Sequence, residues 1–379
     1  MRLPRVNVFA LIVIGYVLIQ VYAMWRAYTG LALAPYTIPI FALWVGLMTF
    51  ALPILWAVER RGWHFIAEVV AWIGFGWMGF VFLFFWIALG LDVLGVLVSA
   101  VAASPYTEPG AYSNVLRSFP FAFAVTLAVT VYGFVDARRI RIERVRIASP
   151  KLSADHGPFR AAVISDVHLG VVIGARRLRR IIEQLRRLDA DVVISLGDLV
   201  DGQADRLSPF APLLAGLRPR YGKFAVTGNH EYYVGLAHAL NFHRHAGFAV
   251  LRANAVDVTE KISIAGVDDQ TGPPVHRDEY GPLSGVARDR FKILLKHRPD
   301  IDPRAAEMFD LQLSGHVHKG QIFPFVFLVR LMYPIRTGLT RLVQGSWLYI
   351  SRGTGTWGPP IRVGAPPEIT LIELEPAAS

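Results

Sequence analysis

The stretch FDLQLSGHVHKGQ (residues 309–321) sets the problem: an apolar run, a Ser-Gly step, and two histidines one residue apart. If FDLQLSGH is a strand, side chains two residues apart share a face, so His316 and His318 point the same way. Two imidazoles aimed together at a strand end can reach a metal, or they can cap a turn. The pair alone leaves both readings open, and the partners have to come from elsewhere in the chain.

Working outward, the region from Phe159 onward alternates short apolar runs with helix-like stretches. FRAAVISD, ADVVISLGD, GKFAVTGNH, KISIAGVDD, FKILLKH and FDLQLSGH read as buried strands. ARRLRRIIEQLRRL (residues 175–188) and EYYVGLAHALNFHRHA read as amphipathic segments between them. This alternation argues for a layered α/β domain, in which ligands bind beyond the carboxyl ends of the strands. The polar residues fall at those ends: Asp166 and His168 in SDVHLG, Asp198 and Asp201 in GDLVDG, Asn229 and His230 in GNHEYY, His297 in LLKHRP, and His316 and His318.

Every member of this set is an oxygen or imidazole donor. The chain has no cysteine, which excludes disulfides, thiolate catalysis and cysteine-bound zinc. Mixed O/N donors suit two borderline divalent ions, such as manganese, iron or zinc, better than an all-oxygen magnesium or calcium site. Gly197, Gly228 and Gly315 precede donors and permit sharp turns there. A carboxylate is the natural bridge between two cations, and Asp198, central in the order, is the candidate.

The series D-x-H, G-D-x-x-D, G-N-H-[DE], H, G-H-x-H resembles the signature of the calcineurin-like metallophosphoesterases, over roughly residues 155–379. The ending YISRGTGTWGPPIRVGAPPEITLIEL resembles the membrane-associated bacterial branch, which includes some UDP-diacylglucosamine pyrophosphatases. The resemblance implies a four-layer α/β/β/α sandwich. It implies one metal held by Asp166, His168, Asp198 and His318, and a second by Asp198, Asn229, His297 and His316. His230 would face the phosphate and assist the leaving group, while Asp201 would orient ligands or their loop. Lys319 stands where relatives of this branch often carry glycine, and is read as pointing to solvent or adding a phosphate contact.

The N-terminal third is different in kind. About 20 apolar residues span a bilayer as a helix, and residues 6–25, 38–58, 65–89 and 119–135 supply four candidates. LDVLGVLVSAVAA, after the third, reads as an interfacial segment or part of a fifth. The overall 53% hydrophobic content and net charge of +10 therefore average two unlike parts. Arg2, Arg5, Arg60, Arg61 and the run Arg138–Arg146 flank one side of a four-span arrangement, which predicts a multi-pass cell-membrane protein with a cytoplasmic catalytic domain. The expected organisation is an all-α transmembrane module over residues 1–136, a basic juxtamembrane linker over 137–154 leading into a first strand, and the metallophosphoesterase domain over 155–379.

The expected activity is hydrolysis of a phosphate ester or pyrophosphate by attack of a metal-bridging hydroxide on phosphorus, with two divalent ions as cofactors. A lipid-linked substrate and membrane lipids are the expected partners. No nucleic acid is expected, since the basic residues cluster beside the membrane. Two alternatives stand beside this: a phosphodiesterase for soluble nucleotides, and a metal-binding regulator on a membrane sensor or transporter. Arg352 and Arg362, flanking GTGTWGPP, are read as phosphate ligands or surface charge. Asp268 and Asp269 are read as a strand-end turn or as residues at the rim of the site. FPFVFLVRLMYP (residues 323–334) is too apolar for an ordinary loop; it either packs on the core or enters the bilayer interface.

Overall fold

Proline decides where the second candidate span bends. In the computed structural model, which describes residues 8–101, 111–152 and 158–377, this span is two helices, Thr37–Thr49 and Ala51–Glu59, meeting at 54°. Pro53 lies in the first turn of the second helix, where its missing N–H does no harm, but its ring would collide with the Thr49 carbonyl of a continuous helix. Among the described residues three helices are long and apolar enough to cross a membrane, or four if the bent pair is one span. The segment after the third span is not a separate helix but continues that span: His64–Val101 is one 38-residue helix. Arg2 and Arg5 lie outside the described residues.

The chain divides into two compact units, Met1–Val135 with Gly358–Ile361, and Asp136–Trp357 with Arg362–Ser379. The helical unit is apolar outside, and its core of Ala23, Val81, Phe84, Ala88 and Ala122 encloses a few polar side chains that are paired with one another. Leu11, Ile12, Leu18, Trp25 and Leu43 are exposed. Inside, Gln20 bonds Thr49 and Trp77, and Arg26 reaches Asp92 at 2.7 Å and the Arg117 carbonyl. This distribution suits helices surrounded by hydrocarbon, where polar groups must be satisfied from within.

The second unit is built from strands β1 (Arg141–Ser149), β2 (Phe159–Ile164), β3 (Leu169–Gly170), β4 (Val192–Ser195), β5 (Val200–Asp201), β6 (Lys223–Ala225), β7 (Phe248–Val250), β8 (Asn254–Asp257), β9 (Ile262–Gly266), β10 (Phe291–Leu295), β11 (Leu311–Ser314), β12 (Gly338–Arg341), β13 (Trp347–Ile350) and β14 (Glu368–Pro376). They form two six-stranded sheets, ordered β1-β14-β2-β4-β6-β7 and β12-β13-β11-β10-β9-β8, and a two-stranded ladder β3-β5. Strands β2, β4, β6 and β7 run parallel, as do β9, β10, β11 and β13.

Side-chain alternation shows the layering. On β10, Phe291, Ile293 and Leu295 join Ala161, Val163 and Ile194 between the sheets, while Leu294 turns outward to Leu283, Ala305 and Phe309. On β2, Ala162 and Ile164 face Leu178, Ile181, Ile182 and Leu185 of the helix Ala175–Arg187. Burial on both faces is why these strands read as unbroken apolar runs; each fully buried large side chain contributes about 1.5–3 kcal/mol. The layers are therefore helices, sheet, sheet, and a thinner cover of short helices and turns: the four-layer α/β/β/α sandwich.

The basic stretch after the last long helix forms β1, paired in parallel with β14 over nine residues. Arg144 and Arg146 each lie 3.3 Å from Glu373, and Arg141 lies 3.2 Å from Asp136. The segment EYYVGLAHALNFHRHA is broken by Gly235 at φ 96°, which separates Asn229–Tyr233 from Leu236–His245.

Candidate metal centre

All eight donors follow strand ends. Asp166 and His168 come after β2, Asp198 after β4, Asn229 and His230 after β6, His297 after β10, and His316 and His318 after β11. Parallel neighbours place these carboxyl ends side by side. Asp166, His168, Asp198, His316 and His318 have positive φ, between 46° and 70°. Left-handed backbone costs a non-glycine residue roughly 1–2 kcal/mol, and such residues concentrate where function over-determines the chain. The turns are laced together: Asp166 N–H donates to the Gly197 carbonyl, His168 N–H to that of Asp198, and Gly315 N–H to that of His297. At Gly315 a Cβ would fall on Ser165 Oγ and Asp166 Oδ2, so only glycine lets these two turns approach.

Two donor groups converge. His168 Nε2 lies 3.1 Å from His318 Nε2, which is 3.4 Å from Asp166 Oδ1. His316 Nδ1 lies 3.2 Å from His297 Nε2, which is 3.2 Å from Asp198 Oδ2. The same Asp198 oxygen is 3.9 Å from His168 Nε2, so this carboxylate stands between the groups. Among the described residues Asp166, His168 and His318 form one potential metal-binding cluster, Asp198, His297 and His316 a second, and His168, Asp198 and His230 a third that overlaps the first two.

Most of the protonation states suit cation binding; the exception is His297, where burial is outweighed by Asp198, which raises the pKa to about 10, so a cation would have to displace its proton. His297 Nδ1 donates to the Leu196 carbonyl at 2.7 Å, which directs Nε2 to the cluster. Burial holds His168 and His318 well below the ordinary imidazole value, and burial together with the neighbouring His297 lowers His316 to about 3, so these rings present lone pairs. Burial opposes ionisation of Asp198, but His297, hydrogen-bonded to it, outweighs that and keeps the carboxylate charged. Asn229 Oδ1 is buried and has no hydrogen-bond partner among the described residues, an omission a folded protein tolerates where a ligand completes the shell.

His230 also has a carboxylate partner of its own. Its Nδ1 is 2.9 Å from Asp201 Oδ1, and its backbone N–H donates to Asp198 Oδ1. Burial disfavours the imidazolium, yet the Asp201 hydrogen bond and the charges of Asp201, Asp198 and Glu231 raise its pKa to about 9. The rings of Tyr233 and Trp357, both exposed, meet His230 edge-on at 5.1 and 5.7 Å.

Glu231 was not singled out in the sequence, although it closes the G-N-H-[DE] motif. Fully buried, its carboxylate accepts from the N–H groups of Asp198 and Leu199 at 2.9 Å and of Gly228 at 2.7 Å. It thereby joins the turns that carry Asp198 and Asn229. Arg352 and Arg362 are not ordinary surface charges. Arg362 is fully buried and donates to the carbonyls of Gly355, Arg352 and Ala365, with Nη2 3.2 Å from His318 Nδ1. Arg352 pairs with Glu368 and Glu143. Asp268 receives Arg252, Thr227 and Tyr232, and Asp269 receives Arg298 and Thr271, so this pair anchors loops beside the centre. Lys319 is half-buried near the charges of Arg352 and Arg330.

A two-sheet sandwich that gathers aspartate, asparagine and histidine donors beyond parallel strand ends is the framework of a metal-dependent hydrolase. The profile of the Calcineurin-like phosphoesterase family matches residues 159–320. An uncharacterized metallophosphoesterase of Aquifex aeolicus (strain VF5) is 37% identical over 256 residues, covering 66% of this chain and 98% of that protein. A transmembrane protein with metallophosphoesterase domain from Danio rerio is 34% identical over 316 residues, covering 78% and 71%. An uncharacterized metallophosphoesterase of Campylobacter jejuni is 31% identical over 306 residues, covering 77% and 78%. The chain belongs to the calcineurin-like metallophosphoesterase family, phosphoric ester hydrolases that work with a dinuclear metal centre.

Proposed function

We propose that the protein is a membrane-anchored phosphoesterase that cleaves a phosphate ester or pyrophosphate, lipid-linked, at the cytoplasmic face of the cell membrane. Asp166, His168, Asp198 and His318 would hold one divalent cation, and Asp198, Asn229, His297 and His316 the other. The observation that carries this assignment is the position of Asp198 Oδ2, between His297 Nε2 at 3.2 Å and His168 Nε2 at 3.9 Å.

Two cations held there supply Lewis acidity toward the phosphoryl oxygens and a water acidic enough to act as nucleophile near neutral pH. The chain's own groups do the rest. Glu231 fixes the turns bearing Asp198 and Asn229, so the donors are in place before any ion arrives. Asp201 orients His230 through Nδ1 and keeps it protonated, leaving Nε2 to donate a proton to the departing oxygen. Tyr233 and Trp357 flank the His230 ring and would wall the side where the leaving group departs.

The lipid-linked substrate is supported by the apolar helical unit on the same chain, which confines the centre to the neighbourhood of headgroups. The test compares manganese-dependent hydrolysis by the full-length protein of a long-chain lipid pyrophosphate, presented in mixed micelles, with that of its water-soluble headgroup. A kcat/KM at least tenfold higher for the lipid form supports the reading. Equal values would favour a soluble nucleotide or another free phosphodiester.

A further inference from the structure

The geometry points to a second membrane contact, made by the α/β unit itself: the segment Phe323–Met332 enters the bilayer interface. The helix Val326–Met332 has no polar face apart from Arg330. On its inner side Val329, followed by Tyr333 and Ile335, packs on Val317, Leu348 and Ile350. Its outer side is equally apolar, with Phe323 52%, Phe327 56%, Leu328 48%, Leu331 82% and Met332 65% exposed. The Phe323 and Phe327 rings meet edge-on at 5.7 Å, so the aromatic part of this surface is contiguous.

A helix apolar on all sides belongs in a core or in lipid, and this one has only half its surface against a core. Monomeric proteins rarely expose a contiguous patch of this kind without a partner. Three observations select lipid as that partner. The same chain carries helices long and apolar enough to cross a bilayer. The last of these ends at Asp136 and β1 starts at Arg141, so the tether between them is a few residues long. Exposed Arg330 and Arg336 edge the apolar surface, as suits anionic headgroups. The segment is also coupled to the catalytic centre, since the Tyr333 ring lies edge-on to that of His316 at 5.9 Å.

This inference rests on the membrane anchoring proposed above and not on the choice of substrate. The absence of cysteine makes the test direct. Full-length Leu18→Cys, Leu331→Cys and Asp289→Cys variants, each labelled with bimane, are reconstituted in phosphatidylcholine–phosphatidylglycerol vesicles with and without doxyl-labelled lipid. Leu331 is exposed, so the substitution spares the core, and Met332→Cys serves as a second probe. The expected result is quenching by doxyl lipid at Leu18 and at Leu331, several-fold stronger than at Asp289, with a blue-shifted emission at Leu331. If Leu18 is quenched while Leu331 responds only to aqueous iodide, as Asp289 does, the second contact is overturned and the anchoring stands. If Leu18 is not quenched, the anchoring itself fails and the inference with it. A label at 331 shielded from both quenchers, and released on dilution with excess lipid, assigns the surface to a second copy of the chain and also overturns the proposal.

Discussion

Replacing Glu231 by glutamine changes no volume and removes one charge from a fully buried position. The native carboxylate accepts three backbone N–H bonds, two through Oε2 (Asp198 and Gly228) and one through Oε1 (Leu199). The amide can keep the first two by placing its oxygen at the Oε2 position. Its NH2 then faces the Leu199 N–H, donor against donor. The lost bond to a charged acceptor costs about 1.5–3 kcal/mol, and the stranded N–H adds about 1–3 kcal/mol. Relief of the carboxylate's own desolvation offsets part of this, leaving about 3 kcal/mol. For a unit of this size, one kcal/mol moves Tm by about 2–4 °C, so the α/β unit should melt about 6–12 °C lower. Because the same bonds hold the turns of Asp198 and Asn229, manganese affinity should fall by about 10–100-fold. Thermal unfolding followed by tryptophan fluorescence, and metal titration of the full-length protein in detergent, measure the two effects. A Tm shift below about 2 °C with unchanged metal affinity would refute the role given to Glu231.

Gly315→Ala drives a Cβ into Ser165 Oγ and Asp166 Oδ2; overpacking of this kind costs about 1–3 kcal/mol, and bound metal per chain, read by elemental analysis, should drop below that of the parent. His230→Ala should lower kcat by about 10²–10⁴-fold, the usual worth of a general acid, while metal content stays unchanged; loss of metal instead would make His230 a ligand. Asp269 supplies a pH test. Burial alone would raise its pKa, but Arg298 and Thr271 hold it below the ordinary carboxylate value. A depressed native pKa contributes stability that is full above the unfolded value and fades as pH falls through the folded one. Melting curves between pH 6 and pH 3 should therefore show Asp269→Asn less stable at pH 6, with the gap closing toward pH 3; a gap constant with pH contradicts the ion pair.

The two-sided strands were legible because burial on both faces leaves a signal of its own: FRAAVI, VVIS, FKILL and LQLS are unbroken apolar runs that end in polar residues. The centre was legible for a related reason, since aspartate, asparagine and histidine at those ends have few other uses in a parallel sheet. What escaped lies where sequence and burial part company. Strand β1, RIERVRIAS, alternates charge with apolar residues at a sheet edge and reads as a linker until its partner β14 is seen. The short strands β7, β8 and β12 carry exposed or half-buried residues that resemble loop. Arg362 looked like surface charge because nothing local announces that three carbonyls from its own loop region surround it. Glu231 was hidden because its partners are backbone N–H groups, which carry no sequence signature.

The central claim is that Asp198, placed between two donor clusters, makes this chain a dinuclear metal-dependent phosphoesterase. Its most direct test is hydrolysis of bis(p-nitrophenyl) phosphate by the full-length protein in detergent, with manganese and after chelation, against the Asp198→Asn variant. The account predicts turnover that requires the divalent ion, is lost on chelation, returns on manganese addition, and is abolished by Asp198→Asn. Turnover that survives chelation, or an Asp198→Asn variant as active as its parent, would contradict it.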